Sequence, residues 1–329
     1  MIVGEGKLRY EVMARWEQLP KGWSHGDVAG VATDSKDNVY VFNRSEHPVI
    51  VYDSEGKFLS TWGDEKTYPR PHGITIVDDV VYVADDTDHT VRKCTLDGKI
   101  LMTLGTSGKP SDTGYTANVP NNLTTITRGA GPFNRPTRLS IGSNGDLFVS
   151  DGYGNARVHR FSSSGELLQS WGGPGEEPGQ FHLPHSVWAH TDGRVFVCDR
   201  ENDRIQIFSA IGDLLGIWTN VTRPGDLFVD GDGNYYVGEM AWQKGTRNMW
   251  GAPVEEDRPA QLSIRDADGQ VLVKWGGPDP CADGSFASPH GLWVDSKGSI
   301  YVGEVTHTAL SRDGRWHEGC HSIQKFARI

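Results

Sequence analysis

A segment of about 40 residues recurs along this chain, and a repeat of that period restricts the fold to solenoids, propellers or related arrays. Six copies are visible, at 28–63, 71–105, 136–172, 184–218, 224–276 and from 289 onward. Each reads as a turn, an apolar strand, an Asp/Asn/Gly turn, a VYV-like strand, a polar residue, a third strand, a Gly turn and a Trp-Gly ending. Hairpin turns such as SEG, LDG, SSG and ADG supply the glycine needed at positive φ. Four short strands joined in this way make one propeller blade. The sequence therefore predicts an all-β, six-bladed β-propeller of NHL-like repeats. Residues 1–329 are expected to form a single domain, because each blade needs its neighbours to bury its two faces. The sixth copy ends at QKFARI after three strands, while KLRYEVMARW near the start resembles a fourth. Pairing the two would close the ring and remove its exposed edges.

Composition agrees and narrows the partners. Gly at 41 and Pro at 17 residues, with 36% hydrophobic residues, suit short strands and tight turns rather than long amphipathic helices. The net charge is −11 and no Lys/Arg-rich stretch occurs, so nucleic acid is not an expected partner. The opening MIVGEGKLRYEV lacks the basic start and apolar run of a signal peptide, and no apolar stretch has the length to span a bilayer. A soluble, cytoplasmic protein without a membrane partner is expected. Cys94, Cys198, Cys281 and Cys320 form no CxxC pair, which indicates neither a thiolate metal site nor a disulfide framework; Cys281 with Cys320 is the one pairing left open. Three excursions interrupt the repeat, at 106–132, 240–259 and 306–321. Segments of this kind cap a site or move freely.

Aligning the copies by their first strands puts Ala29, His72, Thr137, His185, Gly225 and His290 at one position. The histidines fall in alternate blades, which a closed ring relates by about 120°. This position lies where the chain reaches the innermost strand, so three imidazoles converge on the axis. The intervening Ala29, Thr137 and Gly225 are small enough to leave space between them. Three neutral nitrogens with one face open is the arrangement of a catalytic zinc site. A second repeat position follows the VYV-like strand and carries Arg44, Asp86, Tyr153 (one residue further on), Arg200, Met240 and Val305. Two arginines beside a metal suggest a clamp for a carboxylate, and a phenol between cations is placed to act as a base. His307, His317 and His321 share one excursion and are candidates for the edge of the site.

These motifs resemble the peptidyl-α-hydroxyglycine α-amidating lyases. The resemblance is densest in FNRPTRLSIGSNGDLFVSDGYGNARVHRFSSSGELLQSWG and in FHLPHSVW with VCDRENDRIQIF. It implies that His72, His185 and His290 hold zinc, that Arg44 and Arg200 are active-site arginines binding substrate, and that Tyr153 is the catalytic tyrosine. Animal members place an aspartate after the last zinc histidine as a ligand for structural Ca²⁺; here that residue is Gly291, with carbonyls of Val28 and Ile74 still on offer. The cysteines that pair in secreted members are replaced by Asn134, Gly154 and Ile207, leaving Cys198 alone, as suits a cytosolic bacterial relative. No hydroxylase domain accompanies the repeat, so a hydroxylated substrate is expected from elsewhere. The implied activity is zinc-dependent carbon–nitrogen cleavage of an N-(α-hydroxy-carboxymethyl) amide, whether peptide or small molecule, to an amide and glyoxylate. Two alternatives stand beside it: a zinc hydrolase of an amide, ester or lactone, and a non-catalytic NHL-type scaffold.

Overall fold

The structure is a computed structural model that describes residues 1–329 apart from Ala14, Met249, Trp250 and Asp313. Ala14, in the segment expected to close the ring, and Trp250, in the excursion 240–259, lie outside the described residues. Antiparallel sheets form six blades, five with four strands in up-and-down order and one with five. The innermost strands, Val28–Thr33, Pro71–Val77, Pro136–Ile141, Pro184–Ala189, Pro224–Val229 and Pro289–Val294, each touch both neighbours, and the last closes onto the first. A six-bladed β-propeller is thus the observed fold.

Burial explains the residue pattern. The inner strands of a blade are covered on both faces by adjacent blades, so they read as near-continuous apolar runs, such as VYVFN at Val39–Asn43, rather than as alternating ones. Outer strands such as Phe58–Trp62 are half exposed. The Trp-Gly ending is the joint between blades. The hairpin glycine of the next blade lies flat on the indole: a Cβ at Gly98 would meet the Trp62 ring at 2.6 Å, and one at Gly269 would meet Trp218 at 2.5 Å. Both glycines also have positive φ, at 88° and 78°, so no other residue suits the position.

The ring closes as expected, by Leu8–Met13 pairing antiparallel with Ile323–Arg328. Trp16 locks the seam, donating from Nε1 to the Ser54 carbonyl at 2.9 Å and meeting Tyr301 edge-on at 5.3 Å. An unforeseen fifth strand, Ile2–Glu5, folds back on Leu8–Met13 through the turn at Gly6, whose φ is +57°.

The acidic residue that ends the second strand has a structural role that the sequence reading missed. Asp85, Asp151, Asp199, Glu239 and Glu304 accept backbone N–H bonds from the loop leading into the innermost strand, from Arg70, Asn134, His182, Thr222 and Ala287. Several also take a donor from the third strand, as Asp199 does from Gln206, Glu239 from Ser263 and Glu304 from Gln324. The carboxylates are buried, so these bonds satisfy them and fix the path of each loop.

The one cysteine pairing that the sequence left open is made. Cys281 and Cys320 form a disulfide that ties the 306–321 excursion to the segment between blades five and six. Spacing carried no sign of it, because the folding of two separate loops brings the cysteines together. Cys94 and Cys198 are free and buried. The same excursion holds the helix Thr306–Ser311.

Candidate metal centre

The three histidine positions are set by β-bulges. In each innermost strand the pairing register slips just after the first residue, so that His185, for example, has no partner between Pro184↔Asp199 and Ser186↔Cys198. The same slip falls at His290, Ala29, Thr137 and Gly225, and in blade two it spans His72 and Gly73. A bulge inserts one unpaired residue and re-aims its side chain. Here it turns the imidazoles toward the axis.

Their orientation is then fixed by the intervening blades. The Nδ1 of His72 donates to the Thr137 carbonyl at 2.7 Å, that of His185 to the Gly225 carbonyl at 2.6 Å, and that of His290 to the Ala29 carbonyl at 2.8 Å. A carbonyl only accepts, so each Nδ1 carries the proton and each Nε2 presents a lone pair. The small residues predicted to leave space thus also orient the ring, as supporting groups do around metal ligands. The ligand atoms lie within 4.8 Å of one another, with Nε2 of His185 and His290 only 3.1 Å apart. Nε2 of His72 is buried without a partner. Burial first, then the neighbouring imidazoles for His72 and His185 and nearby arginines for all three, holds them well below their ordinary pKa. Neutral, buried lone pairs facing one another are a donor set that fits a divalent cation such as zinc.

The second repeat position is fixed by a backbone bond present in all six blades. The N–H groups of Arg44, Asp86, Tyr153, Arg200, Met240 and Val305 donate to the carbonyls of Asp27, Arg70, Arg135, Leu183, Arg223 and Ser288, at 2.9 to 3.4 Å. Each acceptor is the residue before an innermost strand, so these side chains are delivered to the metal-side mouth. The Tyr153 hydroxyl lies 3.2 Å from Nε2 of His185 and accepts from Arg200 NH1 at 3.0 Å. Burial works against charge on Arg200, but Tyr153 and Glu201 outweigh it and push its pKa up. Arg44 donates from Nε to the Pro71 carbonyl, next to His72, and from NH1 to Asp27.

Several participants escaped the sequence reading. Arg70 and Arg135 share Asp86, Arg135 lies 5.8 Å over the Tyr153 ring, and Glu201 bridges Arg200 and Arg223. A signal was present in the Arg-Pro dipeptides at Arg70-Pro71, Arg135-Pro136 and Arg223-Pro224. Arg135 and Arg223 sit at positive φ, 65° and 37°, conformations kept only where the surroundings enforce them. Five guanidiniums (Arg44, Arg70, Arg135, Arg200, Arg223) meet three carboxylates (Asp27, Asp86, Glu201), which leaves an excess of two positive charges in a chain of net charge −11. Such a mouth attracts an anion.

The excursion histidines do not join the centre. His321 pairs with Asp283 at 2.9 Å, His307 stacks edge-on against Trp316, and His317 lies by the disulfide. The calcium implied by the resemblance does not fit either. A Cβ at Gly291 would meet the Gly30 Cα at 2.5 Å, and the nearby axis is occupied by the ion pair of Arg138 with Asp226.

The NHL repeat model matches residues 133–161 and 181–208. NHL repeat-containing protein 3 of Homo sapiens is 31% identical to the chain, over 91% of this chain and 82% of that protein. The chain belongs to the NHL-repeat propeller family. Within that family, peptidyl-alpha-hydroxyglycine alpha-amidating lyase 1 of Drosophila melanogaster is 29% identical over 76% of the chain, which spans 45% of the fly protein. Family members therefore include enzymes named as lyases beside propellers named only for their repeats. A streptogramin B lyase structure superposes with a TM-score of 0.60 at 12% identity, covering 99% of this chain and 100% of its own, and shares the fold.

Proposed function

We propose that this propeller is a metal-dependent lyase that cleaves an N-(α-hydroxy-carboxymethyl) amide into an amide and glyoxylate. The observation that carries the reading is the Tyr153 hydroxyl, set between Nε2 of His185 and the guanidinium of Arg200 at the open side of three converging imidazoles. His72, His185 and His290 would hold the ion. Zinc bound there would supply Lewis-acid charge to polarise a substrate oxygen. The cationic mouth holds the carboxylate, with Arg44 fixed beside His72 through the Pro71 carbonyl as one of its charges. Tyr153, acting as a phenolate whose charge Arg200 balances, takes the carbinol proton and becomes the neutral phenol. The C–N bond breaks, its electron pair goes to the nitrogen, and the carbinol carbon becomes the aldehyde of glyoxylate. The nitrogen receives the proton back from Tyr153, so protons and electrons balance.

The relative named as an amidating lyase supports this class of reaction. As for compartment, the Cys281–Cys320 disulfide favours an oxidising one over the cytoplasm expected from the chain's opening residues. The test is metal analysis together with glyoxylate release from α-hydroxyhippurate, on the protein and on His185→Ala. About one zinc per chain, lost together with glyoxylate release in the variant, is the expected result. Bound zinc without glyoxylate would shift the assignment to the hydrolase, and no bound metal would leave the scaffold.

A further inference from the structure

One residue beyond the histidine position, the six blades present Gly30, Gly73, Arg138, Ser186, Asp226 and Gly291. The glycines leave no room for anything larger. A Cβ at Gly73 would meet the Thr137 carbonyl oxygen at 2.4 Å and the Arg138 Cα at 3.0 Å, while Gly291 lies against Gly30. The remaining three residues meet across the axis. Arg138 NH1 donates to Asp226 Oδ2 at 2.5 Å, and Ser186 Oγ donates to Asp226 Oδ1 at 2.6 Å. Two backbone N–H groups complete the carboxylate, from Leu227 at 2.9 Å and from Leu292 in blade six at 2.8 Å. Arg138 is 3% exposed and Asp226 1%. Blades three, four, five and six are therefore joined through one carboxylate and one guanidinium, directly behind the histidine tier.

We infer that Arg138 is the resident axial cation of this propeller, taking the place that a structural calcium has in the lyases it resembles. A calcium ion needs six to eight oxygen ligands. The only carboxylate of this tier is already saturated by four donors, and the residue after His290 is a glycine that cannot supply another. The guanidinium of Arg138 already neutralises that carboxylate, so a calcium ion placed beside it would find no uncompensated anion and would meet a like charge. The ring is thus pinned by a covalently attached charge. The single divalent cation it takes is the one held by the histidines.

The inference does not rest on the proposed reaction, and its readouts are calcium content and thermal stability. The protein as purified is expected to contain no calcium and, after EGTA treatment and zinc reloading, to show an unchanged Tm on adding millimolar CaCl₂. A resident calcium would raise Tm by several degrees under these conditions. About one calcium per chain, or a Tm that rises with calcium, would overturn the inference. A second arm compares Arg138→Met, Asp226→Asn and the double variant. Each single variant leaves one buried charge unmatched and is expected to lose more Tm than the double. Additive losses would show that the two side chains do not act as a pin, and a single variant that fails to fold beside a double that folds would support it.

Discussion

At the scale of single residues the site is a problem of protonation and aim. Three imidazoles are kept neutral by burial and by carbonyls that demand a proton on Nδ1, so each offers its lone pair to the axis. Tyr153 is held by Arg200, and Arg200 in turn by Glu201, whose carboxyl is driven to about 2: burial opposes the charge, but Arg223 and Arg200 prevail. That anchor remains charged well into mild acid. Tyr153→Phe is expected to lower kcat by about 100- to 10,000-fold while zinc content stays unchanged. An unaltered rate would remove it as the base. His25 allows a separate test, because burial lowers it from 6.5 to about 4 beside Tyr52. The folded chain refuses a proton that the unfolded chain accepts, so its contribution is full above about 6.5 and is lost toward pH 4, at up to about 1.4 kcal/mol per pH unit. Urea midpoints of the protein and of His25→Gln should therefore draw together as pH falls from 7 to 4.5. Parallel curves would contradict this origin.

At the scale of elements, the bulge at the start of each innermost strand is the decisive device. Without the extra residue, His72, His185 and His290 would lie in the pleat and face a neighbouring blade. The excursions are fastened to the same machinery: Trp242 bonds Asp203 and stacks 4.3 Å from Arg223, and Thr308 bonds Asp27, the partner of Arg44. The Cys281–Cys320 link, 39 residues apart, holds the second of these in place. Closing a loop of that length stabilises by about 4 kcal/mol in the chain-entropy account. Cys281→Ser should lower Tm by several degrees, and treating the protein with a thiol reductant should reproduce the loss. If neither changes Tm, the link is not closed in solution.

At the scale of the whole molecule, stability depends on closure. Leu8–Met13 supplies the outer strand of the last blade, and Trp16 bridges that blade to the first through Ser54 and Tyr301. Deleting residues 1–16 exposes the edge of Ile323–Arg328 and opens the seam. The truncated chain is expected to be largely insoluble, or to unfold at a much lower temperature with the loss of bound zinc. A truncated protein that melted with the native Tm would show that the ring does not depend on this strand.

Much of this could be read before folding. The repeat determined the number of blades, their strands and the N-terminal closure, because hydrophobic runs and turn residues are local features that recur at a fixed spacing. The same alignment placed His72, His185 and His290 at one height and Arg44, Tyr153 and Arg200 at one mouth, since symmetry turns equal positions in sequence into convergent positions in space. The tertiary structure decided what symmetry cannot encode. Arg135 over Tyr153, Glu201 between two arginines, Arg138 across the axis to Asp226, and Cys281 bonded to Cys320 are all pairings between non-equivalent residues. Side-chain reach and excluded volume select them, and neither quantity exists until the blades have packed.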